Sequence, residues 1–484
     1  MPKRVHFVGV CGVGMSAIAI ALHKAGWKVR GSDKGFYPPV STELELAGIE
    51  YYAGFHPEHM LEKGKPDLIV LGAASGIDNP EVKTARELNI PIHSYPEILA
   101  QYFVKENSLV VAGTWGKTTS SAMLARILED SKYNPSYFVG GIPAGMPAGA
   151  LTKASAWSVL EGDEYKSSPT DKRPKFAHYS PTHLLLTSVS WDHADLYPSE
   201  DHYFAAFEKL IAGVPERGLI VACIDNPGVA KVLDHAISKV ITYSKNDEAD
   251  YRYIKVGESK EGIRFGIVDT ANSYAVDSCL LGGFQAENIT GCFAMAKEIG
   301  IPVGSILNSI HTFGGIKRRM EKRFANKHIT ILDDIAHSPE KAKVVLRDLR
   351  TIYGNGSKII AIFEPNSGGR SPEMAVKYTS AFSAADGVII PRLTKLKIDR
   401  TGVLQPMDGK DLTKIIGRAH SNVLYQPNDD VLIQDLANLT TRPLSNVDIG
   451  SPSDNPHLLI AFLGSHGFRG MIEQLIEKIK SVRV

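Results

Sequence analysis

The stretch "VVAGTWGKTTSSAMLARIL", Val110–Leu128, decides how the chain is read. It opens on a short apolar run, breaks at Gly113, and ends on Met123, Leu124, Ile127 and Leu128, which recur at helical spacing. The pattern is strand, glycine turn, helix. Gly113 permits a sharp turn after the strand, and Gly116 lets backbone amides approach an anion with no Cβ in the way. Lys117 then stands where it neutralises β- and γ-phosphate oxygens, and the Thr118 hydroxyl, at the helix start, is placed to hold Mg2+. The full phosphate-loop pattern has a glycine at the position of Val111, so an ordinary glycine-rich turn with a surface lysine is the competing reading.

Two further stretches bear on that choice. "VLEGDEY" puts Glu161, Asp163 and Glu164 after an apolar run, and "LLLTSVSWDHADLYP" puts Asp192 and His193 after another. Parallel strands collect their C-terminal ends on one side of a sheet, so groups that follow two strands can face a loop that follows a third. A carboxylate, an imidazole and a threonine hydroxyl then make a magnesium site beside a triphosphate. Taken singly, each acid is equally well a solvated loop residue or a helix cap.

Outward from this core, "RVHFVGV", "DLIVLGA", "GLIVACI", "KIIAIFE", "DGVIIPR" and "LLIAFLG" are short, β-rich runs that alternate with helical patterns. Such alternation predicts parallel α/β sheets. Breaks near Phe103–Leu109 and Phe313–Phe324 divide the 484 residues into consecutive α/β domains, expected over 1–106, 107–316 and 317–484. Lys and Arg total 54 against 53 Asp and Glu, a formal charge of +1 that gives no electrostatic case for nucleic acid or a membrane surface. Small-molecule partners are expected. Cys11, Cys223, Cys279 and Cys292 form no CxxC pair, which fits a reducing cytoplasm better than a disulfide framework. The basic, apolar start resembles a signal peptide, but Gly9, Gly12 and Gly14 interrupt it at the spacing of a nucleotide-binding strand-turn-helix.

Together these stretches resemble the Mur ligases, ATP-dependent enzymes that join amino acids or peptides to UDP-N-acetylmuramate in bacterial wall metabolism. The resemblance runs through "FVGVCGVGMSAIA", "GTWGKTT", "EGDEY", "WDHADLYP", "ENITGCFAMA", "GGIKRRME", "DDIAHSPEK" and "FEPNSGGR". It implies a Rossmann-like UDP-sugar domain, a central phosphate-loop ATPase domain and a Rossmann-like acceptor domain, in that order. It also implies cytoplasmic work in wall synthesis or recycling, tied to cell shape and division. Within the family, "DEYKSSPTDKRPKFAHYSP" is similar to the branch that attaches the tripeptide L-alanyl-γ-D-glutamyl-meso-diaminopimelate during recycling. The branch that adds L-alanine is the alternative, since "GVGMS" looks more like it.

Residue by residue, the resemblance assigns ATP to Gly113, Thr114, Gly116, Lys117, Thr118 and Thr119, with Asn288 at the adenine and Arg319 and Asp334 on the nucleotide side of the third domain. Thr118 and Glu161 are implied on one Mg2+ and His193 on a second, while Gly9, Gly12, Gly14 and Asp33 belong to the UDP-sugar site. Lys117, Glu161 and His193 form the catalytic set. Three departures stand out: Trp115 where histidine is common, Ser188 where asparagine is frequent, and Phe284-Gln285 where His-Asn is usual. They touch metal support and adenine recognition, and Trp115 is expected to offer the nucleotide an apolar wall. Arg370, in a glycine-rich loop after the strand "IIAIF", is expected to grip a distal carboxylate of the tripeptide, or else to be a solvated loop charge. Two other classes compete. A non-catalytic nucleotide or UDP-sugar sensor is disfavoured by the presence of Lys117 and His193, and an NAD-dependent oxidoreductase by Cys11 at the second glycine of the dinucleotide fingerprint.

Overall fold

Every strand-glycine-helix junction expected above forms, and the chain builds three α/β sheets in succession. The computed structural model describes residues 3–72, 75–193, 196–246, 248–366, 368–394, 406–441, 457–465 and 467–481. The first sheet holds β1 (Arg4–Val8), β2 (Lys28–Asp33), β3 (Glu50–Ala53), β4 (Leu68–Leu71) and β5 (Ile92–Ser94), in the order β3-β2-β1-β4-β5. All its pairings are parallel, and the strand order reverses between β1 and β4, where α/β sheets open a crevice for ligands. The helix Val13–Lys24 follows β1 directly, so the apolar start is a folded strand and helix.

The second sheet has ten strands: β6 (Asn107–Ala112), β7 (Ser136–Phe138), β8 (Gly149–Ala150), β9 (Trp157–Gly162), β10 (His183–Leu186), β11 (Leu219–Cys223), β12 (Lys239–Ser244), β13 (Tyr251–Glu258), β14 (Ile263–Val268) and β15 (Ser273–Ser278). β6 lies between β9 and β10, parallel to both, with Val111 beside Glu161 and Ala112 beside Leu186. The register brings the C-terminal ends of all three strands together. Met123, Leu124, Ile127 and Leu128 of the helix Lys117–Asp130 are fully buried with Leu109 and Val111 of β6, which is why this helix cannot rotate about its axis. Each such side chain contributes about 1.5–3 kcal/mol by leaving water.

The third sheet holds β16 (Glu321–Ala325), β17 (Ile329–Asp334), β18 (Lys358–Glu364), β19 (Gly387–Pro391), β20 (Val423–Gln426) and β21 (Leu458–Gly464), in the order β16-β17-β21-β18-β19-β20. Only β16 runs antiparallel to its neighbour. By compactness the chain forms two units: residues 1–257 with 262–316, which carry the first two sheets, and 317–484 with 258–261, which carry the third.

Gly113 has φ of 141°, and a Cβ there would lie 2.2 Å from Thr187 Oγ1 and 2.7 Å from the Ser188 nitrogen. Gly113→Ala is therefore expected to lower stability by about 1 kcal/mol or more, through both the backbone and the clash, read as an earlier urea or thermal transition.

Candidate active site

The loop between β6 and the helix Lys117–Asp130 is strapped to the residues that follow β10. The Thr114 amide donates to Ser188 O at 3.0 Å, and the Ser190 amide donates to Thr114 Oγ1 at 2.8 Å. Thr187 Oγ1 donates to the Trp115 carbonyl, and the Trp115 amide donates to Ser188 Oγ at 3.0 Å. Ser188, a departure from the family pattern, thus holds the loop directly. The Thr114 hydroxyl is committed to this strapping, and so is its amide. Thr118 and Thr119 lie buried in the first helical turn, while the Trp115 ring projects, 53 % exposed.

Gly116, with φ of 83°, is the loop's last residue, and a Cβ on it would meet Asn288 Oδ1 at 2.5 Å. Asn288 therefore lies against the phosphate loop. Its Nδ2 donates to Gln285 Oε1 at 3.0 Å, so the glutamine of the Phe284-Gln285 departure orients the asparagine amide.

Lys117 is turned inward. Its Nζ donates to the carbonyls of Gly113 and Thr114 and sits 2.8 Å from Glu164 Oε2. Glu164, whose side chain is 2 % exposed, has His193 Nε2 3.6 Å from its other oxygen. One buried carboxylate thereby joins the lysine after β6 to the histidine after β10. Glu161 takes a separate position: Oε1 accepts from Thr118 Oγ1 at 2.9 Å and Oε2 from the Gly140 amide at 2.7 Å. Burial pushes its carboxyl pKa up, against the Gly140 amide and the Lys117 charge. Asp163 is half-buried, and against its partial desolvation the Lys175 ammonium in contact with it holds its carboxyl below the usual range. Glu164 holds the His193 imidazole above its ordinary value, burial opposing, and Asp192 adds to the rise.

The other nominated residues fall in two further places. Gly9 has φ of 90°, and the amides of Gly9 and Val10 donate to Ser32 O at 2.8 and 3.0 Å. The Cys11 amide donates to Asp33 Oδ2 at 2.8 Å, so the acid at the end of β2 holds the glycine loop after β1. Gly12 precedes the helix Val13–Lys24, and a Cβ on Gly14 would press on the Phe138 ring at 3.2 Å. In the third sheet's unit, Asp334 accepts from the amides of Met320 and Ala336, both at 2.8 Å. Arg318 turns inward to Asp333 and the carbonyls of Gly464 and Ser465, leaving the neighbouring Arg319 exposed.

Arg370 is not the solvated loop charge of the alternative reading: at 9 % exposure, its Nε donates to Met407 O at 2.9 Å and its Nη1 to Thr394 O at 2.8 Å. Burial in the loop makes backbone carbonyls its partners, because a desolvated guanidinium must satisfy its donors. Among the described residues, no helix is long and apolar enough to cross a membrane.

A glycine loop with an inward lysine, acids on an adjacent strand end and a nucleotide-type glycine loop on a first sheet define a phosphate-handling enzyme built from three α/β sheets. The chain belongs to the Mur ligase family, ATP-dependent ligases of peptidoglycan synthesis. Residues 4–105 match the model of the Mur ligase family catalytic domain, 111–296 that of the Mur ligase middle domain, and 318–442 that of the Mur ligase glutamate ligase domain. The UDP-N-acetylmuramate--L-alanyl-gamma-D-glutamyl-meso-2,6-diaminoheptandioate ligase of Escherichia coli is 31 % identical, over 75 % of this chain and 79 % of its own. The UDP-N-acetylmuramate--L-alanine ligase of Desulfitobacterium hafniense is 30 % identical, over 88 % and 92 %. Among solved structures, the UDP-N-acetylmuramate-alanine ligase of Thermotoga maritima superposes with a TM-score of 0.78 at 22 % identity, covering 99 % of both chains.

The His193 imidazole is expected to titrate above the free value of about 6.5 and to fall back toward it in Glu164→Gln. NMR titration of the histidine side chains checks this, and an unmoved His193 in the variant would separate it from the carboxylate.

Proposed function

We propose that the chain joins the carboxylate of UDP-N-acetylmuramate to the amine of L-alanyl-γ-D-glutamyl-meso-diaminopimelate, in wall recycling in the cytoplasm. The observation that carries this acceptor is the segment "DEYKSSPTDKRPKFAHYSP", which runs between Asp163 and Pro181 beside the phosphate loop and is similar to the tripeptide-adding branch. The E. coli relative named for that reaction supports it. A second reading, addition of L-alanine, is favoured by the D. hafniense relative at nearly equal identity.

Amide formation from a carboxylate needs a better leaving group than oxide, and ATP supplies it by phosphorylating the carboxylate. The carboxylate oxygen attacks the γ-phosphorus, ADP leaves, and the amine then displaces phosphate through a tetrahedral intermediate. Little covalent work falls to the protein, which positions and neutralises charge. Lys117 turns from Glu164 to the γ-phosphate, the amides at the helix start, from Gly116 to Thr119, cradle the phosphates while those of Thr114 and Trp115 stay strapped to Ser188, and Asn288 reads the adenine with Trp115 as wall. Gly9, Gly12, Gly14 and Asp33 shape the UDP-sugar site. The donors fit Mg2+: Thr118 Oγ1 and Glu161 Oε1 are already 2.9 Å apart, a hard-oxygen pair at the loop, with the His193 imidazole across Glu164. When bound, Mg2+ offsets negative charge on the phosphate oxygens.

Lys117→Ala should lower turnover about 10²-fold or more, with affinity for UDP-N-acetylmuramate unchanged, since the sugar loop lies on another sheet. Steady-state phosphate release and calorimetry measure the two. The acceptor is tested with ATP, Mg2+ and UDP-N-acetylmuramate challenged separately with tripeptide and L-alanine. A higher kcat/KM for the tripeptide is expected, and preference for L-alanine would overturn the reading in favour of the second.

A further inference from the structure

Lys175 belongs to the segment between β9 and β10, and its side chain is 9 % exposed. Its backbone amide donates to Tyr165 O at 3.1 Å, which fixes where the side chain enters. The ammonium touches Asp163 Oδ2 and lies over two rings, 5.5 Å from the centroid of Tyr95 and 5.6 Å from that of Tyr165. These rings lead to the two candidate sites. Tyr95 lies just after β5, and its ring is 3.9 Å from where a Cβ on Gly14 of the sugar-nucleotide loop would stand. Tyr165 packs on His193 with ring centroids 5.0 Å apart, and His193 faces the Glu164 carboxylate that also holds Lys117. Lys175 therefore stands between the glycine loop of the first sheet and the phosphate loop of the second, inside one compact unit.

The phosphorylation step places two anions together, a carboxylate and a triphosphate, whose repulsion must be offset. Lys117 and Mg2+ serve the phosphate oxygens, and a further ammonium beside the carboxylate would offset its share of that repulsion. An ammonium has three N–H donors, of which Asp163 accepts one, while the ring faces hold the charge without accepting a conventional hydrogen bond. We infer that Lys175 binds the carboxylate of the UDP-sugar substrate and aligns one of its oxygens with the γ-phosphorus. The inference rests on the ligase reading above. In the step itself the carboxylate oxygen forms the new O–P bond, the bond to the β-bridging oxygen breaks with its electron pair leaving on ADP, and no proton moves. Lys175 stays charged throughout, while Asp163 fixes its position and Tyr95 and Tyr165 wall it from solvent.

The test compares two UDP-sugars by calorimetry: UDP-N-acetylmuramate, which has the carboxylate, and UDP-N-acetylglucosamine, which lacks it. The wild-type protein should prefer the first. In Lys175→Met, affinity for UDP-N-acetylmuramate should fall roughly tenfold or more, the effect of losing a charge-assisted hydrogen bond, with UDP-N-acetylglucosamine unmoved. Lys175→Arg should retain much of the preference. If Lys175→Met with Asp163 left unpaired does not fold, the Lys175→Met/Asp163→Asn double variant carries the same comparison. An unchanged preference, or an equal loss for both sugars, would overturn the inference and mark Lys175 as structural. Wild-type protein that fails to bind UDP-N-acetylmuramate would instead overturn the ligase reading beneath it.

Discussion

A lysine ammonium held in an almost dry loop needs a carboxylate, and the pairing of Lys117 with Glu164 is the contact on which the rest of the site depends. Removing one partner of such a buried pair costs about 3–5 kcal/mol, because the other charge is left desolvated. The pair is possible only if the ends of β6 and β9 lie side by side, which the Val111–Glu161 register secures. Glu164 also faces His193, so the strand on the other side of β6 is bound into the same arrangement. Three segments far apart in sequence are held by one carboxylate.

The straps from β10 complement that electrostatic tie. Thr187 and Ser188 satisfy the turned backbone groups of Thr114 and Trp115 from outside, and Ser190 holds the Thr114 hydroxyl, so the turn is ordered before anything binds. A phosphate site needs such preorganisation, since amides that first had to be ordered would lose most of their worth as anion donors.

The local parts of this design were legible in the sequence. A glycine turn, a helical apolar repeat and acids after strand-like runs are short-range signals, and each appears as read. Pairings between distant segments were not. Glu164 was visible only as one acid among three, because its partners depend on the register of two strands. Ser188 and Gln285 looked like losses against a family pattern, yet the serine hydroxyl holds the Trp115 amide and the glutamine carbonyl orients Asn288. Arg370 shows the limit most plainly: a glycine-rich loop at a strand end suits a ligand grip, but the carbonyls that claim its guanidinium come from residues 24 and 37 positions away. Nothing in the loop's own composition announces them.

Ionisable groups at the mouth of the second sheet find their partners within the protein: Lys117 is paired with Glu164 and Lys175 with Asp163, while Glu161 accepts hydrogen bonds from the Thr118 hydroxyl and the Gly140 amide. Internal pairing keeps the loop ordered, and it also sets a condition on anything that binds. A ligand group that draws a lysine from its carboxylate must bring negative charge to the same ammonium, or the exchange leaves a buried cation with less than it had. A phosphate meets that condition at Lys117 and a carboxylate at Lys175, whereas a neutral sugar hydroxyl meets it at neither. Charge therefore discriminates at this end of the sheet before shape does, because the penalty for an unmatched buried charge exceeds what a few added van der Waals contacts return.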